Sequence, residues 1–172
     1  MLVFKTALLS DVDQIQDLVN SAYRGPSSKR GWTTEADILT GTRTSSDHLC
    51  EMIREADSQI ELAYEQDILI ACVAIKKEKS GTLYFGMLTV KPEIQARGIG
   101  KALILHVEQI ALSLQCRGLR ISVIHVRSEL IAYYERRGFA ATGVSEPFVF
   151  EEAIFGKPLV EGLTLIEMIK DL

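Results

Sequence analysis

Apolar positions repeat along the chain in two rhythms, and each change of rhythm marks an element. Residues 2–6 are apolar and β-branched and read as a strand. Ser10 or Asp11 then stands where a helix cap is needed. Val12, Ile15, Leu18, Val19 and Ala22 follow at spacings of three and four, the period of an amphipathic helix. Residues 25–34 are rich in turn formers and basic groups and have no period, which predicts a loop. Ser46 or Asp47 is placed to cap a short helix through residue 56. From Ile60 the rhythm is that of strands: 60–65, 68–77 and 82–91, separated by Gln66-Asp67 and by Lys79-Ser80-Gly81. Connections this short predict an antiparallel meander. Pro92 ends the third strand. Ile99, Leu103, Ile104, Val107, Ile110, Ala111 and Leu114 trace a long helix that stops before Gly118. A strand over 119–126, a short helix over 128–137 closed by Gly138, and strands over 139–144 and 163–169 complete the order. A long helix crossing from 82–91 to 119–126 predicts that those two strands run parallel. The class is α/β (α+β): a mixed, mostly antiparallel sheet of about seven strands flanked by about four helices.

Composition narrows what such a fold is for. At 172 residues, against roughly 100–200 per domain, the chain reads as a single domain over 1–172. Hydrophobic residues are 47% and charged residues 24%, which excludes a disordered tail or a coiled coil. The longest apolar run, residues 68–75, is far short of the roughly twenty that a spanning helix requires, so no membrane role is expected. A net charge of −4 argues against a nucleic-acid partner while leaving room for a local basic patch. Lys5 and Asp11 interrupt the N-terminal apolar stretch, so it is not a signal peptide. Cys50, Cys72 and Cys116 are odd in number, far apart and set in apolar patterns. They read as buried free thiols of a reducing, cytoplasmic compartment.

Chemistry concentrates in residues 88–102, LTVKPEIQARGIGKA. A strand turns into a long helix whose start carries two glycines. The free N–H groups and positive dipole end of a helix start attract an anion, and glycines let it approach the backbone. Arg97 and Lys101 add positive charge at the same mouth. A dinucleotide fingerprint fails because Leu103 stands where the third glycine belongs and antiparallel strands precede the motif. A P-loop fails at Gln95 and Ala102. The reading left is the pyrophosphate arm of coenzyme A.

Gln95-x-x-Gly98-x-Gly100, after a strand ending Val90-x-Pro92, resembles the acyl-CoA signature of the GNAT-type N-acetyltransferases. Residues 130–139, LIAYYERRGF, are similar to that family's second signature, a short helix carrying Tyr and ending in Gly-Phe. Both occur in the expected order, and the element order fits nearly the whole chain. The resemblance implies a splayed parallel strand pair that forms the CoA cleft. It assigns cofactor binding to Leu88, Thr89, Val90, Gln95, Ala96, Arg97, Gly98, Ile99, Gly100, Lys101, Arg127, Leu130 and Tyr133. Within this set the backbones of Leu88 and Val90 bond pantetheine, and residues 97–101 hold the pyrophosphate. Tyr134 matches the tyrosine that protonates the departing CoA thiolate. Tyr133 points about 100° away from it on a helix, so only one of the two is the acid.

Acyl transfer from a thioester to an amine needs a neutral amine, a polarised carbonyl and a protonated leaving group. A phenol near pKa 10 can protonate a thiolate whose thiol lies near 8.5–9, although uphill without tuning. A backbone N–H at or near Leu88 suits the oxyanion. No cysteine nucleophile is expected at Cys72 or Cys116, since neither has a histidine at suitable reach in the local pattern. The chain departs from the family in two places. Arg127 stands where many relatives carry Asn, and it contacts pantetheine, a CoA phosphate or only solvent. Residues 82–90 contain no Asp or Glu, so the general base falls to a water wire or to an acid of the early loop.

That loop holds the only Trp. Tyr23, Trp32, Thr33 and Glu35 are candidates for the acceptor wall, and residues 41–44 are placed to join it. Trp32 is either a recognition surface or an anchor folded onto the core. Glu35 either takes a proton from a cationic amine, as a second catalytic residue, or binds that amine. His48, His106 and His125 fall on three elements without metal-ligand spacing, so no metal is expected. His106 reads as packed or exposed. His125 ends the strand that lines the cleft, and residues 146–158 form a long loop able to close over the acceptor. The sequence therefore predicts an acetyl-CoA-dependent N-acetyltransferase acting on a small-molecule or peptide amine, as a monomer or homodimer. A non-catalytic acyl-CoA-sensing domain and a protein-interaction module through the Trp32 loop are its rivals.

Overall fold

Alternating burial turns the expected strands into one seven-stranded sheet. A computed structural model describes residues 1–149 and 156–172. In chain order the elements are β1 (Leu2–Thr6), α1 (Val12–Tyr23), α2 (Ser46–Arg54), β2 (Ser58–Glu65), β3 (Ile68–Lys77), β4 (Thr82–Val90), α3 (Ile99–Ser113), β5 (Gly118–Ile124), α4 (Ser128–Glu135), β6 (Ala140–Pro147) and β7 (Thr164–Asp171). The strand order is β1-β2-β3-β4-β5-β7-β6, antiparallel except where β4 meets β5. The hairpin between β2 and β3 turns on Gln66 and Asp67, both at positive φ, as a tight two-residue connection demands. β3 is buried along almost its whole length, so neither of its faces can meet water. Helices supply the cover. Val12, Ile15, Leu18 and Val19 of α1, with Leu49 of α2, pack in one cluster, and Leu103, Ile104 and Val107 of α3, with Tyr134 of α4, in another.

The parallel pair is short for a physical reason. β4 and β5 pair only through Thr82↔Gly118, Leu83↔Leu119 and Tyr84↔Arg120. Farther along, the β3–β4 register slips between Cys72 and Ala74, and Met87 adopts φ 51, a left-handed conformation unusual for a non-glycine residue in a strand. The bulge turns β4 away from β5. β5 meanwhile stays paired with β7 along its length. A wedge opens between β4 and β5, as the resemblance implied.

Several boundaries differ from expectation. Ser45, not Ser46 or Asp47, caps α2, because its side chain accepts the His48 N–H at 3.3 Å. Within the expected loop over 25–34, residues Pro26–Arg30 form a single tight helical turn with Pro at its start. The strand expected to reach 126 ends at Ile124, which leaves His125 exposed with its Nδ1 accepting the Thr164 N–H. His106 is packed: its ring stacks on Phe4 and its Nε2 lies 2.7 Å from the buried Glu61 carboxylate. β6 runs on to Pro147, and residues 150–155 of the expected closing loop lie outside the described residues. No helix among the described residues is long and apolar enough to cross a membrane.

Candidate active site

The wedge between β4 and β5 opens into two adjoining clefts. The first runs along β4 to the start of α3. Its walls include Leu88, Thr89 and Val90 from β4, residues 95–101 except Arg97, Leu130, Tyr133 and Tyr134 from α4, and Arg137 from the turn after it. Ala96 and Gly98 both have positive φ, at 67° and 80°. This alternation of backbone hands turns successive N–H groups to one side, making a concave anion site. Gly98 caps α3 without a side-chain bond, and the Ala102 N–H is the first to return to its carbonyl, at 3.0 Å. The earlier N–H groups are therefore available to a ligand. Lys101 stands beside them. The Nε of Arg137 is buried without a hydrogen-bond partner, while its guanidinium lies 3.3 Å from the Tyr133 ring centroid. An anion-binding backbone, a lysine and an orphaned guanidinium N–H together fit the phosphate-bearing arm of coenzyme A.

The second cleft lies on the other side of Tyr134. Its walls are apolar at Leu39, Phe85, Met87, Phe148, Val149 and Leu165, and charged at Arg24, Arg43, Arg127 and Glu35. Tyr23, Leu88, Arg127, Leu130 and Tyr134 line both clefts, so they mark the junction between them.

A buried ion network braces that junction. Glu35 Oε1 accepts from Arg127 Nη1 at 3.0 Å, and Oε2 accepts from Arg24 Nη2 at 3.1 Å and from Arg24 Nε at 3.3 Å. Arg127 Nη2 donates to Thr33 Oγ1 at 2.6 Å, and that hydroxyl donates to Glu129 at 3.0 Å. Arg24 also donates to the carbonyls of Thr40 and Thr42. Burial lowers the basicity of Arg24 against the opposing pull of Glu35. Tyr23 donates to the Leu88 carbonyl at 3.1 Å, and burial pushes its phenol up to about 12. Burial raises Tyr134 further still, against a weaker opposing pull from Arg127. Tyr134 therefore keeps its proton throughout the physiological range. Cys72 faces neither cleft, and burial pushes its thiol up to about 12, which fits an inert packing role.

Most of the expected site residues come together here, with three corrections. Arg97 does not line the cleft: its guanidinium is about half exposed and pairs with Glu65 at 3.3 Å, so only its backbone can serve the anion site. Both oxygens of Glu35 are engaged by guanidinium groups, Oε1 by Arg127 and Oε2 by Arg24, so its first role is that of an ion-pair partner. Arg127 is only 6% exposed, which removes the solvent reading and makes it a brace between the clefts. Trp32 takes an intermediate position, 43% exposed with its ring 5.3 Å from that of Tyr133. Gln95 ties its loop down: the Gln95 Oε1 accepts the Trp32 N–H at 3.0 Å, and Nε2 donates to the Val90 carbonyl at 3.2 Å. Arg137 was not foreseen; it lies in the turn after α4, where its Nη1 donates to the Tyr133 carbonyl at 2.6 Å.

A sheet opened at its one parallel pair, with a glycine-bearing helix start at the mouth, is the architecture of an acyl-CoA-using acetyltransferase. The chain belongs to the acetyltransferase (GNAT) family, whose model matches residues 13–139. That family uses acetyl-CoA. No curated protein sequence matches the chain. Among solved structures, the fold is similar to a PaiA N-acetyltransferase from Thermoplasma acidophilum in complex with coenzyme A, at TM-score 0.75 and 18% identity over 100% of this chain and 99% of that one. It is similar to an IAA acetyltransferase from Bacillus cereus at TM-score 0.72 and 14% identity over 100% of both chains. It is also similar to the ribosomal-protein-S18-alanine N-acetyltransferase from Escherichia coli, at TM-score 0.72 and 14% identity over 99% and 94%. At such identities the likeness concerns the fold alone.

Proposed function

We propose that the protein transfers an acetyl group directly from acetyl-CoA to a primary amine, as a single domain, with the donor in the first cleft and the amine in the second. The observation that carries this reading is the junction itself. Tyr134 is buried yet borders both clefts, and its ring is held edge-on by Phe85 at 6.1 Å and Phe139 at 5.6 Å. When bound, acetyl-CoA supplies the thioester: an N–C bond forms as the C–S bond breaks, the amine gives up a proton to solvent water, and CoA leaves as the thiol with the proton of Tyr134, which solvent then returns to the phenolate. The start of α3, with Lys101 and Arg137, holds the phosphates, and β4 from Leu88 to Val90 aligns the pantetheine arm. The Leu88 and Val90 carbonyls already accept from Tyr23 and Gln95, and each has a second lone pair for a ligand amide.

Tyr134 gives its hydroxyl proton toward the sulfur as the C–S bond lengthens. Burial, which raises its pKa, makes this donation more uphill than from a free phenol, so the proton moves only as thiolate charge develops beside it. Glu35 is a positioning residue that holds Arg24 and Arg127 in place. The amine enters the second cleft in its neutral, nucleophilic form, and the pairing of Glu35 with Arg24 and Arg127 leaves solvent water as the proton's acceptor.

Tyr134→Phe keeps the ring packing and removes the proton. We expect turnover to fall about 100-fold or more with the acetyl-CoA-induced rise in melting temperature retained. Unchanged turnover would remove Tyr134 from the acid role. Acetyl-CoA binding without free-thiol release across a broad amine panel would replace the enzyme by a sensing domain.

A further inference from the structure

The first cleft has a third wall, supplied by the loop after α1. Trp32, Thr33 and Thr34 line it together with β4 and α4. On one side this segment is fastened to the end of β4. The Trp32 N–H donates to Gln95 Oε1 at 3.0 Å, and Gln95 Nε2 donates to the Val90 carbonyl at 3.2 Å. On the other side it is fastened to the start of α4, where Thr33 Oγ1 accepts from Arg127 Nη2 at 2.6 Å and donates to Glu129 at 3.0 Å. Residues 31–34 thus tie the splayed strands together across their gap. The Trp32 ring continues the tie, lying 5.3 Å from that of Tyr133. The Tyr133 hydroxyl in turn stands 2.6 Å from where a Cβ on Gly100 would be, at the anion-binding turn.

The two fastenings differ in strength. The α4 end includes a charge-assisted bond from a buried guanidinium, whereas the β4 end is a pair of neutral bonds, that of Trp32 exposed to solvent. Gly31 completes the weaker end. A Cβ there would lie 2.3 Å from Gln95 Oε1, so only glycine lets the carboxamide come this close. We propose that residues 31–34 are a strap over the donor cleft, released at Gln95 to let coenzyme A in and out, which makes Gln95 a positioning residue. This rests on the reading of the first cleft as the donor site. A pantetheine arm along Leu88, Thr89 and Val90, with its phosphates at 96–101, lies under the segment that joins Gln95 to α4. Closure also returns Thr33 to Arg127 at the junction. A strap of this kind slows entry and exit alike and leaves affinity nearly unchanged, whereas losing a direct ligand contact speeds exit alone and weakens binding.

Trp32 is the only tryptophan of the chain, so its emission reports the strap. Stopped-flow mixing with CoA gives both rate constants from that signal, and calorimetry gives the affinity independently. Gln95→Ala is expected to raise association and dissociation together, each about threefold to tenfold, with the affinity held within about twofold. Gly31→Ala keeps Gln95 but pushes its flexible side chain out of the latch, and should give the same signature. The double variant should add little to either, since both break one contact. Melting temperatures near that of the wild type show that the fold survives. Unchanged rates in either variant, or faster dissociation without faster association, would overturn the inference and leave the N-acetyltransferase reading standing. So would effects that multiply in the double variant, or a Trp32 signal silent to CoA binding that calorimetry detects. The expected rates without free-thiol release across an amine panel would keep the strap and sink the enzymatic reading. Absence of CoA binding would sink both.

Discussion

Two arginines at opposite ends of β5 have different surroundings. Arg120, where β4 and β5 are still paired, has every nitrogen occupied. Its Nε donates to Glu78 at 2.9 Å, one terminal nitrogen pairs with Glu78 and the other with Glu167, and the guanidinium lies over Tyr84 at 4.7 Å. Its side chain is 28% exposed. Arg127, just past the far end, is 6% exposed and leaves its Nε unspent. The first closes the seam, with each of its nitrogens bonded to a carboxylate. The second stands where the seam has opened, lining both clefts with its Nε still unpartnered. Burial and charge alone do not separate a clamp from a site; unfinished hydrogen bonding does.

The sharpest way to break this contrast is to remove the counter-charge at each end. Glu35→Gln leaves Arg24 and Arg127 buried around a neutral amide and is expected to cost about 3–5 kcal/mol. The urea midpoint measures it. A loss below about 1 kcal/mol would mean that water already serves these guanidinium groups and that the network is no brace.

A smaller pair of effects separates the ends by their glycines. A Cβ at Gly118 would stand 2.7 Å from the Lys170 carbonyl oxygen, a backbone atom that cannot step aside. Gly118→Ala should therefore cost about 1–3 kcal/mol and leave the intrinsic CoA affinity of the folded protein unchanged. At Gly100 the nearest atom is the Tyr133 hydroxyl at 2.6 Å, the tip of a side chain that can move. Gly100→Ala should shift stability by less than about 1 kcal/mol, because alanine favours the helix, yet weaken CoA binding about tenfold by covering the anion-binding backbone. If Gly100→Ala unfolds the protein instead, the glycine serves packing and not the ligand.

Residues near one another in sequence were the legible ones. The α3 stripe, the meander and the glycine-bearing helix start follow from local periods and turn chemistry, and the structure reproduces them. The splay was implied by resemblance, but its cause, a bulge with Met87 at φ 51, has no signature in the residues themselves. Glu35 is the clearest miss. An acid in a polar loop reads as available, whereas its partner Arg127 stands 92 residues away and reaches it only once β5 and α4 are in place. The Arg97 side chain is drawn off in the same manner, because β2 brings Glu65 to it, while the backbone role expected of it is untouched. Charges change meaning most on folding, since long-range pairing decides whether they face a ligand or one another.

The smallest effect bears on the clamp. The Arg120 guanidinium beside Glu78 holds that carboxyl below its ordinary range, through the hydrogen bond first and against a smaller desolvation effect. A carboxylate depressed in the folded state contributes its stability above its unfolded pKa, about 4.3, and loses it as the pH falls through the folded value. Arg120→Gln should then cost about 1 kcal/mol or less at pH 7, a figure kept low by the partial exposure of the pair. The gap between variant and wild type should close as the pH falls below about 4 and Glu78 protonates in both. Urea midpoints at pH 7 and pH 3 make the comparison. A gap that persists in acid would mean that Arg120 holds the seam by stacking on Tyr84, which does not titrate there, and the two ends of β5 would then differ in packing more than in charge.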